Sequence, residues 1–275
     1  MDAAEKTRSA DIIHLCGKGA EAVDIRIIVA AHKPCRMPED SMYLPVQVGA
    51  AGKEQIGFQP DDEGENISEK NANYCELTGL FWAWKHLSAD YIGLVHYRRH
   101  FAGKKRCPDK WKRIISQSEL EAELEKAPVL LPKPRHYWIE SNYSQYVHSH
   151  HAADLDVTRA ILQEKYPAYV RAFDTVMRRT YGHRFNMFVM ERSYADRWCA
   201  WVFDVLHELE LRLDISGYSP YDARVFGFVA ERLLDVWLMT NRVSWRDLPY
   251  VFTEQQNWPL KVWRFLLRKF RRNQK

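Results

Sequence analysis

The chain has 275 residues, enough for one large domain or two small ones, and 46% of them are hydrophobic, which sets aside global disorder. The net charge of +4 is unevenly spread: the seven lysines and arginines after Glu254 leave −3 for residues 1–254, so the body is near neutral and offers no electrostatic footprint for nucleic acid. The five cysteines form no Cys-x-x-Cys pair, no run of about 18 apolar residues occurs, and the Met-Asp-Ala-Ala-Glu-Lys start carries no apolar stretch. A zinc site, a disulfide framework, a membrane span and a secretory signal are thereby disfavoured, and a cytoplasmic location is expected.

Residues 1–22 are small and polar and read as a flexible leader, followed by one domain over 23–255. Ile25 to Ala31 is a central strand, ended by His32-Lys33-Pro34 because a proline forces its predecessor out of helix. Its tip, Ala31-His32-Lys33, is where a nucleotide would sit in an α/β domain. No Gly-x-Gly-x-x-Gly or Walker loop follows, which disfavours a dinucleotide fold. Tyr43 to Gly49 is extended and then turns, and Asp61 to Glu65 is an acidic turn. Asn66 to Asn73 is dense in helix-capping side chains, and Asn73 with Glu76 resembles a capping box for a helix from Tyr74 to His86. Leu77, Leu80, Phe81 and Trp84 would form its buried face. Asn66, Ser68 and Asn71, beside a helix N-terminus that favours anions, are candidate donor ligands; simple capping is the alternative.

Tyr91 to Val95 is a short apolar strand that stops at His96-Tyr97-Arg98-Arg99-His100. Two arginines beyond a strand's carboxyl end can grip a diphosphate bidentately without a metal. The alternative is a strand ending in a solvated basic loop. Ser116 to Lys126 reads as a surface helix and Val129 to Leu131 as a strand closed by prolines. Arg135 to His151 is a loop rich in rings and donors, which suits acceptor binding through Tyr143, His148 and His151. Asp154-Leu155-Asp156 matches the Asp-x-Asp pattern that holds Mn²⁺ and a diphosphate, but it opens a helix over Thr158 to Lys165, where helix-start carboxylates are the plainer reading. Further helices are expected at Tyr169–Tyr181, Asp196–Leu213 and Asp222–Thr240, with a strand at Asn186–Met190. Arg224 and Glu231 lie two helical turns apart and share a face, as an internal ion pair or a pair of site residues. In residues 256–275, Val262, Phe265, Leu266 and Phe270 alternate with basic residues, the pattern of a helix on an anionic membrane surface; a solubilising tail is the alternative.

Several segments together resemble a known family. They are Ile27 to Pro34, Pro45 to Ala50, Asn66 to Asn71 with Tyr74 to Thr78, Trp82 to Lys85, Ala89 to Leu94 with His96 to Arg99, Asn186 to Met190, and Gly227-Phe228 with Glu231 to Leu233. The chain resembles the bacterial capsular and exopolysaccharide glycosyltransferases long catalogued as a domain of unknown function, over roughly Ile25 to Asn241. The resemblance implies a single α/β domain of GT-A-like fold, with a mixed, mostly parallel central sheet flanked by helices. It also implies a nucleotide-sugar donor, with UDP as the nucleotide because some relatives are galactosyl- or galactofuranosyltransferases. The acceptor would be a growing capsule, exopolysaccharide or O-antigen glycan, free or lipid-linked.

The resulting expectation is hexosyl transfer from a UDP-sugar at the inner face of the cell membrane. Ala31, His32, Lys33, Asn66, Ser68, Asn71, His96, Tyr97, Arg98 and Arg99 would hold the donor. Tyr143, His148, His151, Asn186 and Arg224 would hold the acceptor. Asp222, Glu231, Asp154 and Glu76 are candidates for the general base that an inverting reaction needs, and the sequence does not choose among them. No metal is required on this reading; Mn²⁺ or Mg²⁺ at Asp154 and Asp156 is the runner-up. The alternative function is a non-catalytic glycan- or nucleotide-binding module at the membrane surface.

Overall fold

The computed structural model describes residues 23–254; the expected leader and basic tail lie outside the described residues. The first strand, β1 (Ile25–Ala31), is buried on both faces except at Arg26, as its near-continuous apolar run requires in a parallel sheet. β2 (Tyr43–Gln47) and β3 (Gln59–Pro60) extend the sheet in parallel on one side. The expected helix from Tyr74 is instead two pieces, α1 (Asn71–Tyr74) and α2 (Leu77–His86). Cys75 breaks it at φ 55°, and the Asn71 amide holds the kink by donating to the Cys75 carbonyl at 2.7 Å. The Asn73–Glu76 capping box does not form: Asn73 donates to the Ala223 carbonyl, and Glu76 turns to Asn186. Gly79 lets α2 press onto β2, since a Cβ there would lie 2.8 Å from Val48 Cγ1.

β4 (Tyr91–His96) pairs in parallel with β1 and reverses into β5 (Arg99–Phe101). Then follow α3 (Gln117–Leu124), capped by a Ser116–Glu119 box, β6 (Val129–Pro132) and β7 (Arg135–His136). The stretch expected as a loop contains α4 (Asn142–Val147). α5 (Ala152–Lys165) starts six residues earlier than expected, with Asp154 in its first turn. α6 (Val170–Arg178), β8 (Tyr181–Gly182), β9 (Phe188–Glu191), α7 (Arg192–Arg212), α8 (Val225–Thr240), β10 (Arg246–Leu248) and β11 (Tyr250–Phe252) complete the described chain.

The main path of the sheet runs β10-β6-β9-β4-β1-β2-β3, parallel throughout except for β9, which is inserted antiparallel between β6 and β4. Strand alternation splits the core. Ile28, Ala30, Ile92 and Leu94 pack beneath α2, α7 and α8, and Ile27, Val29, Val95 and Leu130 pack toward α3. Most described tryptophans are structural: Trp198 meets Trp237 edge-to-face at 5.8 Å, and Trp201 stacks on Tyr169 at 4.6 Å.

Two late elements are joined by one ionisable group. His183 Nδ1 meets Asp235 of α8 at 2.5 Å, and its Nε2 meets Asp247 of β10 at 3.0 Å. Burial alone would lower the imidazole's pKa, but the two carboxylates outweigh it and hold it up at about 9. A folded pKa raised above the unfolded value stabilises fully below the unfolded pKa, and that stabilisation fades as pH rises through the folded one. Denaturant unfolding should therefore show a loss of roughly 3 kcal/mol between about pH 6 and pH 10, and His183→Gln should flatten that part of the profile. An equal slope in the variant would assign the loss to other groups.

Candidate functional site

A cleft of about 250 Å³ opens at the carboxyl end of β4, beside that of β1. β4 ends at His96, and the turn through Tyr97-Arg98 pairs His96 with Arg99 of β5. The basic segment is thus a hairpin, and it turns His96, Arg98 and Arg99 into the cleft wall. Tyr97 is buried beneath the rim, with His32 edge-on at 5.3 Å and Lys33 above its ring at 5.2 Å.

The facing wall is built by Cys75 and Glu76 at the α1–α2 break and by α8. Gly227 brings α8 against the kink, where a Cβ would lie 3.3 Å from Cys75 Sγ. Phe185 and Asn186, two successive non-glycine residues at φ 79° and 52°, hold the chain in a strained turn just before β9. That turn aims the Asn186 amide at both Glu76 Oε1 (2.9 Å) and the Gly227 carbonyl (3.1 Å). It also aims the Phe185 N–H at Glu231 Oε1 (2.9 Å). β7 and the segment around α4 supply the third side with Arg135, Tyr137, Gln145 and His150.

Six arginines and two glutamates line this space. Two of the arginines are committed to the protein. Arg184 bonds Tyr137 Oη, the His183 carbonyl and Asn142, and Arg232 bonds the Phe228 carbonyl, Glu231 and Gln145. Arg98 and Arg99 differ: neither guanidinium makes a hydrogen bond among the described residues, and the Nε atom of each, like that of Arg232, is buried without a partner. Orphaned charged donors in a cleft fit an anionic ligand, since leaving them unpaired is costly. His96 is held neutral, its pKa pushed down to about 2 by burial and then by Arg99 and Arg98. Burial pushes the Glu76 carboxyl up, against the pull of the Asn186 amide.

The structure sorts the residues expected from sequence. His96, Arg98, Arg99, Glu76, Glu231 and Arg224 meet in the cleft. Ala31 is buried at the end of β1, and His32 and Lys33 pack on buried Tyr97 beside the hairpin; none of the four lines the cleft. Asn186 stands behind the wall as the support of Glu76. Asn66, Ser68 and Asn71 are not brought in, because their polar atoms are spent on the turns after β2 and β3 and on the α1–α2 kink. Asn66 donates to the Asp62 and Gly64 carbonyls, Ser68 to Asp61, and Asn71 to Cys75 and Thr78. Tyr143 bonds Asp156 on a separate groove, and His148 pairs with Glu140 at the surface. His151 stacks on Tyr218 at 4.0 Å outside the cleft. Asp222 lies behind His150.

Asp154 and Asp156 do not fit a metal. Asp154 is fully buried with one oxygen taken by Tyr146 and the other by Tyr218, whereas Asp156 faces the other groove. Arg135, Tyr137, His150, Arg184, Phe185, Phe228 and Arg232 were not singled out from sequence as site residues. Two signals were present: Arg224, Phe228 and Glu231 fall at i, i+4 and i+7, and Arg135 and Tyr137 alternate on one strand face.

Comparison with known proteins adds three findings. The curated proteins contain no match to this chain. Among solved structures, one described as "WbbM bifunctional glycosytransferase apo structure" is similar, with a TM-score of 0.78 and 29% identity. The match covers 84% of this chain and 46% of that one, so the chain spans about half the length of that protein. The fold is accordingly GT-A-like, as the mixed, mostly parallel sheet between helical layers also indicates. A profile described as "Domain of unknown function (DUF4422)" matches residues 26–242, and the chain belongs to that family.

Proposed function

We propose that this chain is a glycosyltransferase that moves a hexosyl group, galactosyl or galactofuranosyl, from a UDP-sugar to a growing capsule, exopolysaccharide or O-antigen glycan. The observation that carries the reading is Arg98 and Arg99, whose guanidinium groups make no hydrogen bond among the described residues, in a cleft at the carboxyl end of β4 beside the parallel β1. The similarity to a bifunctional glycosyltransferase supports it.

Negative charge grows on the diphosphate as the glycosidic bond breaks, and fixed cations are worth most at that moment. Arg98 and Arg99 supply them, and His32 and Lys33, packed on Tyr97 beside the hairpin, would meet the nucleoside. Neutral His96 accepts a long contact from the Arg98 N–H at Nδ1, which assigns its proton to Nε2 as a further donor. Glu76 and Glu231, carboxylates among arginines, suit the hydroxyls of the donor sugar. The acceptor enters past Tyr137, His150 and Arg224. Peripheral membrane association through residues 256–275 belongs to the same proposal; among the described residues no helix is long and apolar enough to cross a membrane.

The test is calorimetry with UDP in Mn²⁺ and then in EDTA, followed by release of UDP from a set of UDP-sugars. Binding that survives EDTA, with turnover of a UDP-sugar, is the expected result. Binding that requires Mn²⁺ would demote the arginines as the diphosphate clamp. Binding without turnover of any donor would favour the non-catalytic module.

A further inference from the structure

His150 is unexplained by packing alone. Its imidazole is only 6% exposed and is clamped among Phe228, Tyr146 and Tyr221, with ring centroids 4.3, 4.8 and 5.6 Å away. A phenylalanine would fill such a box equally well. The two nitrogens, however, are placed differently. Nδ1 lies 3.2 Å from Asp222 Oδ1, and the other oxygen of Asp222 accepts from Ser219 Oγ at 2.7 Å. Nε2 has no partner among the described residues, and the side chain lines the cleft. A carboxylate that fixes one ring nitrogen and leaves the other facing a substrate space is the arrangement that makes histidine a base.

We propose that His150 is the catalytic base of the glycosyl transfer and that Asp222 is its positioning residue; the proposal rests on the function inferred above. The hydroxyl of the acceptor loses its proton to Nε2. Its oxygen forms a bond to the anomeric carbon of the donor as the bond from that carbon to the diphosphate oxygen breaks. The electron pair of the broken bond leaves on UDP, and the imidazolium, stabilised by Asp222, returns its proton to water. The cleft carboxylates are less suited. Glu231 has one oxygen on the Phe185 N–H and the other on Arg232, and Glu76 holds the Asn186 amide. Asp222 is absent from the cleft wall and addresses it only through the imidazole.

The charged groups around the ring are Asp222 from the turn before α8, Arg232 from α8 and Asp154 from the start of α5, with the Tyr146 and Tyr221 hydroxyls nearby; His151 Nε2 lies 3.9 Å from the other oxygen of Asp222. Burial lowers the imidazole's pKa and Arg232 adds to the effect, against Asp222 and Asp154, so the ring is neutral and able to accept a proton near neutrality.

UDP release from UDP-galactose, UDP-glucose and UDP-galactofuranose, with water as acceptor, tests this in the full chain. His150→Gln should lower kcat about 10²-fold or more while UDP affinity by calorimetry stays at the wild-type value. Asp222→Asn should lower kcat and move the acidic limb of the pH–rate profile to lower pH, because the carboxylate that raises the imidazole's pKa is gone. A purely structural role for Asp222 would leave that limb in place and would overturn the proposal. So would wild-type turnover in His150→Gln, or a variant that loses UDP binding and turnover together. A wild-type chain that binds UDP but releases none from any donor removes the glycosyl-transfer reading, and the proposal with it.

Discussion

On the proposed function, Arg98→Ala should lower UDP-sugar turnover by roughly 10²–10³-fold, the range for losing one preorganised donor to a developing anion. The same change leaves the unfolding midpoint almost where it was. The side chain is 39% exposed, its ring contact with Tyr97 is at 5.2 Å, and its only ion-pair contact among the described residues is Glu254 at 4.0 Å. Exposed pairs of that kind contribute little to stability. Arg99 is the poorer probe. It packs over Phe185 at 4.2 Å and over Phe252 at 5.7 Å, so its removal would disturb the wall as well as the charge. Arg98→Lys should recover part of the loss, because a point charge replaces a planar fork that matches two phosphate oxygens. The kinetic split matters more than the total. A guanidinium that meets charge only as the bond breaks moves kcat, whereas one that merely attracts the donor moves KM. Wild-type turnover by Arg98→Ala, in EDTA as in Mn²⁺, would show that the hairpin is not the diphosphate clamp.

The parts of the fold that read clearly from sequence are those where burial dictates residue type. β1 and β4 are buried on both faces, so their apolar runs carry the signal, and both fall where that reading puts them. Short edge elements carry no such signal: β7, β8, β10 and β11 are two or three residues long, and their pairing is decided by tertiary contact. The α1–α2 break was hidden because Cys75 sits at positive φ without being glycine, and only the Asn71 bond across the kink explains it. For the site, the place of Arg98 and Arg99 at a strand end was legible because the apolar run stops where the charge begins; that the segment folds back as a hairpin was not. His150 was not separable from His148 and His151 by sequence, since all three lie in one polar stretch. What distinguishes it is a place in the cleft wall together with a hydrogen bond to Asp222, 72 positions away; His151 reaches the same carboxylate only at 3.9 Å and lies outside the cleft. The residues that lie outside the cleft share a cause. Asn66, Ser68 and Asn71 have side chains that suit both a ligand and a turn, and only a map of their hydrogen bonds assigns them to the turn.

That assignment predicts a stability effect where a ligand role would predict loss of binding. Asp61 is fully buried and accepts from the Gly49 N–H at 2.8 Å, the Ala50 N–H at 3.0 Å and Ser68 Oγ at 2.5 Å. Ser68 in turn accepts from the Ala51 N–H. The turn cannot relax to satisfy these donors otherwise. Gly49 is at φ 66°, and Asn71 occupies the space where its Cβ would stand, 2.5 Å away. Asp61→Ala therefore strands two backbone donors and a hydroxyl in a dry interior, at about 1–3 kcal/mol each and on the order of 4 kcal/mol together once the surroundings adjust. At 2–4 °C per kcal/mol for a domain of this size, the midpoint should fall by roughly 10 °C. Asn66→Ala should cost less, since its amide serves an exposed turn, and UDP affinity measured well below the midpoint should match wild type. An Asn66→Ala chain that unfolds normally yet no longer binds UDP would return this loop to the donor site and take the arginine hairpin out of sole possession of the diphosphate.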